Sequence, residues 1–301
     1  MSGALRGPPD ERSVDELLSF GVVNLDKPPG PSAHQVAAWV RDVTGQERAA
    51  HSGTLDPKVT GCLPILLGDA TRAAQVFDDA RKGYVTVLEL HGPAPADFES
   101  VVAEFEGPVY QKPPRKSAVT RRLRARTIYT LDALELEARR ALLHVECESG
   151  TYVRKLCHDI GLALGTGAHM GDLRRVRTGT FDDTALVTLH DLRDALVWAG
   201  VVDAEDVGDA EVDESSLREC VAPAERALSH LPRLTMAESA AREVADGAPV
   251  YAPGVLDCEE CEAGALVAGY TPNGAAVCLG RRVGDPDAES GTVLELERVL
   301  V

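Results

Sequence analysis

Residues 51–61 read HSGTLDPKVTG and hold one carboxylate, Asp56, between a leucine and a proline. Gly53 and Gly61 permit tight backbone, and Pro57 removes a backbone donor and stiffens the exit. An apolar run, CLPILLG, follows. Such a frame can present a carboxylate on a rigid platform, where an isolated Asp-Pro would mark an ordinary turn. A lone carboxylate can serve as a nucleophile or as a base if a cation keeps it ionised. A candidate cation stands in residues 148–154, ESGTYVR, where a strand turns through Gly150 into a helix. Arg154 at the mouth of that helix can pair with a carboxylate, whether Tyr152 and Arg154 alternate on an extended piece or begin the helix. Lys82-Gly83-Tyr84 opens a strand, and an aromatic ring there can fill a core or stack on a nucleobase.

The charge distribution separates two functions. The net charge of −17 argues, taken alone, against a polyanionic partner. Residues 201–301, however, carry 21 Asp/Glu against 7 Lys/Arg, a net of −14, and residues 1–200 carry 27 against 24, a net of −3. Residues 112–126, KPPRKSAVTRRLRAR, gather seven cations with no acid: Lys112, Arg115, Lys116, Arg121, Arg122, Arg124 and Arg126. Solvated faces usually mix signs, so this stretch reads as a loop facing a polyanion. Arg174 and Arg175, with Arg177, add a second patch in GDLRRVRTG. Of the 31 cations 25 are arginine, and an acidic, lysine-poor chain of this kind predicts a protein working at high salt. The seven cysteines are scattered, so disulfides are not expected. Cys258 and Cys261 form a CxxC, but a structural zinc site needs four ligands and only Cys278 lies near. Two partly buried thiols and no metal are expected there. No apolar stretch is long enough to span a membrane, and the N-terminus lacks an apolar signal core, so a cytoplasmic protein is expected.

The elements that must position these residues follow from patterning. GVVNLD over 21–26 is a short strand ending in a proline-rich turn. Ser32 can cap a helix with apolar residues at Val36, Trp39, Val40 and Val43, closed by Gly45. ATRAAQVFDDA reads as a helix, YVTVLEL as an alternating strand, and TIYTLDALELEA and ALLHVECES as further strands after the basic loop. Val153, Leu156, Ile160 and Leu164 form a helical stripe. Residues 201–219 hold eight acids and one Arg and read as a solvated boundary. Beyond it lies a small β-rich module with a TPNG hairpin signal, plausible as a compact barrel.

Taken in order, GVVNLDKPPGPSAHQVAAWV, HSGTLDPKVTGCLPILLGDATR, KGYVTVLELHG, QKPPRKSAVTRRLRAR, ESGTYVRKLCHDIGLALG and GAHMGDLRRVRTGTF resemble the TruB-type pseudouridine synthases. The resemblance is greatest to the archaeal and eukaryotic branch that includes dyskerin. It implies an α+β fold: a catalytic domain over 21–225 with a mostly antiparallel mixed sheet and a central cleft, an N-terminal extension over 1–20, and a PUA-like RNA-binding barrel over 230–301. It implies isomerisation of uridine to pseudouridine in RNA without a cofactor. On the family's motifs Asp56 is the nucleophile, attacking base or ribose. Tyr84 stacks on the flipped base and can help remove the C5 proton, and Arg154 pairs with Asp56. Tyr152 and Leu173 match pocket-wall positions, Lys27 and Pro28 a motif that braces the cleft, and His51 a position near the flipped nucleotide.

That branch usually works inside an H/ACA ribonucleoprotein. The implied partners are a guide RNA, a target RNA (rRNA, with tRNA as a second class) and small accessory proteins. A stand-alone synthase for the T-loop uridine of tRNA is the alternative, and a non-catalytic RNA-binding scaffold a third.

Overall fold

The computed structural model describes residues 5–113, 120–202 and 212–301. The strands of the first module are β1 (Gly21–Lys27), β2 (Ala49–His51), β3 (Thr60–Leu67), β4 (Lys82–Leu90), β5 (Gly107–Gln111), β6 (Arg124–Leu136), β7 (Arg140–Cys147), β8 (Ala168–Thr178), β9 (Phe181–Asp182) and β10 (Ala222–Pro223). They form one sheet in the order β10-β1-β3-β8-β4-β7-β6-β5, with β2 beside β3 and β9 beside β8. Every registered pair is antiparallel except β3 with β8, which run parallel and share only Thr60↔Arg174 and Gly61↔Arg175. This seam divides the sheet into two halves.

Helices cover the halves separately. On the β1–β3 side lie α1 (Val14–Ser19), α2 (Ala33–Val43) and, further along the chain, α5 (Leu189–Trp198) and α6 (Ser215–Cys220), whose buried residues make one core with Val23, Leu25, Leu63 and Ile65. On the other side α3 (Phe98–Ala103) and α4 (Val153–Ala163) pack on β4, β6, β7 and β8. Tyr84 and Leu173 touch both cores, so they sit where the halves meet. The stripe of α4 is as the spacing predicts: Val153, Leu156, Ile160 and Leu164 are all buried. Helix α2 is capped by Ser32, whose Oγ accepts from Gln35 N, but its buried face is Ala33, Val36, Ala37 and Val40, and Trp39 is substantially exposed. The expected helix after CLPILLG is instead a run of 3-10 turns over Gly68–Phe77. Its buried Ala70, Ala73 and Val76 recur every third residue, which suits 3.0 residues per turn better than 3.6. The basic stretch is not all loop, since Arg124 and Arg126 lie on β6.

The second module is a six-stranded sheet, β12-β16-β15-β14-β11-β13, from β11 (Arg233–Met236), β12 (Val250–Tyr251), β13 (Val255–Cys258), β14 (Leu266–Tyr270), β15 (Ala276–Arg282) and β16 (Thr292–Val299), with α7 (Glu238–Ala245) packed on its core. The TPNG signal is realised as the antiparallel β14–β15 connection. One apolar cluster, from Phe20 and Leu66 through Phe181 to Tyr270 and Leu279, joins the two sheets. Residues 5–13 bind both modules. Arg6 donates to Leu300 O at 2.6 Å, Asn273 Nδ2 donates to Arg6 O at 3.3 Å, and Arg12 pairs with Glu225. Part of the acidic boundary, residues 203–211, lies outside the described residues. Among the described residues no helix is long and apolar enough to cross a membrane.

Candidate active site at the seam of the large sheet

Asp56 stands on the loop between β2 and β3. Leu55 and Val59 on either side of it are buried and anchor the loop in the core, which leaves the carboxylate exposed. Val59 N donates to Asp56 O at 3.0 Å and closes a tight turn. Gly53 and Gly61 take φ of 128° and 94°, values that a side chain strains to adopt. At Gly61 a Cβ would lie 2.2 Å from Arg175 O, so this close approach admits only glycine.

Two buried cations hold the loop through its backbone. Lys27 is 0 % exposed, and its Nζ donates to Pro28 O, Pro57 O and Val59 O at 2.8–3.0 Å. Burial lowers its pKa, with Asp56 opposing. The expectation that Lys27 and Pro28 brace the cleft thus has a geometry: the ammonium ties the turn after β1 to the turn after Asp56. Arg175 is 1 % exposed; its Nε donates to Cys62 O at 2.7 Å and its terminal nitrogens to Gly53 O at 3.4 Å. The surface patch expected at Arg174 and Arg175 is therefore corrected. Adjacent residues of a strand face opposite sides, and Arg175 points into the protein. Arg174 faces out but is engaged by Asp26 through two 3.0 Å bonds, which raise its pKa.

The opposing half supplies Arg154, in the first turn of α4, with its guanidinium bonded to the Asp56 carboxylate. Both side chains are about half exposed. The start of α4 has no side-chain cap of its own. Gln111, at the end of β5, instead anchors the residue before the helix: its Oε1 accepts from Tyr152 N at 2.8 Å and its Nε2 donates to Tyr152 O at 3.2 Å. Gln111 and the burial of Lys82 were not singled out in the sequence; an apolar strand end carrying one amide was the available signal. Tyr84 is half-buried and lies beside Arg175 in the β4–β8 register, with Leu173 diagonal to it on the same strand pair. Burial pushes the Tyr84 phenol above its ordinary value, with Arg175 opposing. Lys82 Nζ is buried and donates to Phe77 O at 2.9 Å; burial, reinforced by Arg175, pulls it down to about 7.

His51 lies at the end of β2. Gly53 N donates to its Nδ1 at 3.2 Å, so the neutral ring carries its proton on Nε2, which faces His34 Nδ1 at 3.4 Å. Burial, then His34 and Arg175, pushes His51 down to about 4, so it stays neutral at ordinary pH. An open cavity of about 560 Å³ adjoins it, lined in part by His34, Arg41, Arg48 and Thr71.

The basic arm lies at the margin. Arg126 pairs with Glu148 at 3.1 Å and its guanidinium lies against Gly150, just before Tyr152. Lys112, Arg121 and Arg122 are exposed, and Arg124 is half-buried. Arg115 and Lys116 lie outside the described residues. The structure thus brings Asp56, Arg154, Tyr84, Tyr152, Leu173, Lys27 and His51 around one seam. Cys258 and Cys261 are half-buried and far along the chain in the second module; among the described residues no group of three or more metal-ligating side chains forms.

Comparison with known proteins agrees along the whole chain. Family models match as the DKCLD domain over residues 7–37, the N-terminal domain of TruB family pseudouridylate synthases over 41–97, the C-terminal domain of tRNA pseudouridylate synthase B over 154–229, and the PUA domain over 232–288. A relative from Haloarcula marismortui, named "Probable tRNA pseudouridine synthase B", is 67 % identical over 99 % of this chain and 94 % of its own length. One of the same name from Halobacterium salinarum is 63 % identical over 99 % of each. Among solved structures, a Cbf5-Nop10-Gar1 complex contains a chain 42 % identical that superposes with a TM-score of 0.90, covering 99 % of this chain and 90 % of that one. An H/ACA RNP bound to a substrate RNA containing 2'-deoxyuridine contains one with a TM-score of 0.87 and 38 % identity, covering 100 % and 91 %.

Proposed function

The chain belongs to the TruB family of pseudouridine synthases, RNA isomerases, and from that premise we propose that its chemistry runs through Asp56 within a guide-RNA particle. The observation that carries the site reading is the Asp56–Arg154 pair across the seam, where Tyr84 and Leu173 pack against both cores. A target uridine must leave its stack to enter, at a cost of a few kcal/mol. Tyr84 offers a stacking surface for it, and Tyr152 and Leu173 wall the pocket. Asp56 attacks the nucleotide, the bond from C1' to N1 breaks, the base turns, and C1' bonds to C5. The C5 proton leaves and N1 gains one, so the product is an isomer of the reactant. The C5 proton passes to a base at the site: Tyr84, beside the flipped ring, or the Asp56 carboxylate, freed as the new bond forms. Lys112, Arg121, Arg122, Arg124 and Arg126 would contact RNA phosphates, a role that the sequence alone extends to Arg115 and Lys116.

Guidance is supported by the likeness to H/ACA particle subunits over nearly the full chain. On this reading residues 21–225 are catalytic, residues 230–301 grip a guide RNA, small accessory proteins complete the particle, and it works in the cytoplasm on rRNA and tRNA. The names of the halophilic relatives favour a second reading, a stand-alone tRNA synthase. Purified protein is assayed on a tRNA transcript alone, then with guide RNA and accessory proteins. Pseudouridine only in the second mix supports guidance; full turnover in the first mix supports the tRNA reading; none in either would sink both.

A further inference from the structure

Arg175 is a buried ion without a counter-ion. Its bonds run to the main-chain carbonyls of Cys62 and Gly53, and among the described residues no carboxylate pairs with it. Burying a guanidinium this way is costly, because carbonyl dipoles replace water less well than a carboxylate does. A role confined to filling space would be met more cheaply by an apolar side chain. The placement of its acceptors suggests what the charge does. Residues 53 and 62 bracket the loop that carries Asp56, so one guanidinium grips both ends of that loop. The same residue is the registered neighbour of Gly61 on one side and Tyr84 on the other. It therefore touches the loop of the carboxylate and the strand of the aromatic ring at once.

The other links across the seam are weaker or wetter. Only two backbone pairs register β3 with β8. The Arg174–Asp26 and Arg154–Asp56 pairs are both partly exposed, where incoming phosphates and water compete for them. Arg175 is the dry link. We propose that Arg175 is a positioning residue for the isomerisation: its guanidinium fixes the Asp56 loop against the β4–β8 half of the site. The proposal deepens the site reading above and rests on Asp56 being the nucleophile. A lysine is not equivalent, since Nε and the terminal nitrogens of one planar group, set apart from one another, reach Cys62 O and Gly53 O, and a lysine offers one nitrogen at the end of its chain.

The test uses full-length Arg175→Lys and Arg175→Gln with the complete set of RNAs and partner proteins that supports wild-type turnover. Four quantities are measured: single-turnover rate at saturating RNA, RNA affinity, melting temperature, and amide hydrogen exchange across residues 53–62. The expected result is a folded Arg175→Lys protein with RNA affinity within about twofold of wild type. Its single-turnover rate should fall by about 10- to 100-fold, the loss expected for a misplaced reacting group. Exchange should quicken within residues 53–62 and little elsewhere. An unchanged rate, or a fall matching only the unfolded fraction, overturns the proposal. So does unchanged exchange in the loop, and failure of both variants to fold would assign Arg175 a purely structural role. Asp56→Asn is run in parallel. If it keeps turnover, the nucleophile reading falls, while loop exchange still judges the hold of Arg175.

Discussion

The seam between β3 and β8 and the junction between the two modules both bury cations, and they accommodate them in opposite ways. At the junction Arg12 is buried against Glu225, which accepts from it at 2.6 and 2.9 Å and also accepts from Ala276 N. That is a buried ion pair. At the seam Lys27 and Arg175 are buried with backbone carbonyls as acceptors, and among the described residues no carboxylate forms an ion pair with either. Those bonds hold the backbone on both sides of Asp56 without pairing the charge. The difference shows that this chain, with 48 acids to 31 bases, is not short of carboxylates to place there. A joint that only holds uses an ion pair. A site that must receive an anionic strand and keep one exposed carboxylate positioned uses cations on backbone.

The contrast can be broken at several points. Asp56→Asn should cost the most, at least about 10³-fold in isomerisation rate with RNA binding retained, as for loss of a nucleophile elsewhere. Turnover assayed by pseudouridine content decides it, and a near-normal rate would remove chemistry from the seam. Glu225→Ala strands a buried arginine and should destabilise the protein by about 3–5 kcal/mol. Chemical denaturation measures that, and the folded fraction should keep its isomerisation rate. Arg154→Ala should lower turnover by about 10- to 100-fold through lost geometry. Because both members of that pair are half exposed, its melting temperature should barely move. Lys82 gives a smaller, pH-dependent signature. Its folded value of about 7 lies below the ordinary 10.5, so between these limits the unfolded chain binds the extra proton. Stability should therefore rise with pH from about 7 towards 10. Lys82→Met should flatten that rise, and thermal melts across the range would show whether it does. Last, the excess of acids in residues 201–301 repels itself most when unscreened. Withdrawing KCl should lower the melting temperature, and full stability without salt would count against adaptation to brine.

How much of this was legible in the sequence depends on distance along the chain. The Asp56 loop is a local device of two glycines and a proline before an apolar strand, and that frame reads directly; its buried flanks, Leu55 and Val59, do not. The stripe of α4 reads for the same reason, and it puts Arg154 at a helix start. Charge counting failed at Arg175, because it sums neighbours that a strand sends to opposite faces. It also treated Arg124 and Arg126 as loop, although antiparallel pairing to β5 draws them into β6. Residues 1–20 are expected only as an N-terminal extension, yet residues 5–13 are tied into the fold. Their partners, Glu225, Asn273 and Leu300, lie more than 200 residues away and leave no local trace. Trp39 failed for another reason. Four apolar residues at helical spacing overdetermine a face, and the small Ala33 and Ala37 let α2 approach the sheet more closely than the indole would.

The strand order has a consequence for synthesis. β8 inserts between β3 and β4, yet β3 ends at Leu67 and β8 begins only at Ala168. As the chain emerges, the edge of β3 that will face β8 must wait, unpaired, for some hundred residues, and that of β4, which ends at Leu90, for fewer. Such delayed, non-local pairing is slow and leaves strand edges open to other chains. It also means that the site cannot assemble early. The carboxylate, the aromatic ring and the arginine at the mouth of α4 all precede β8 in the chain, and the two halves of the sheet that carry them meet only when β8 goes in.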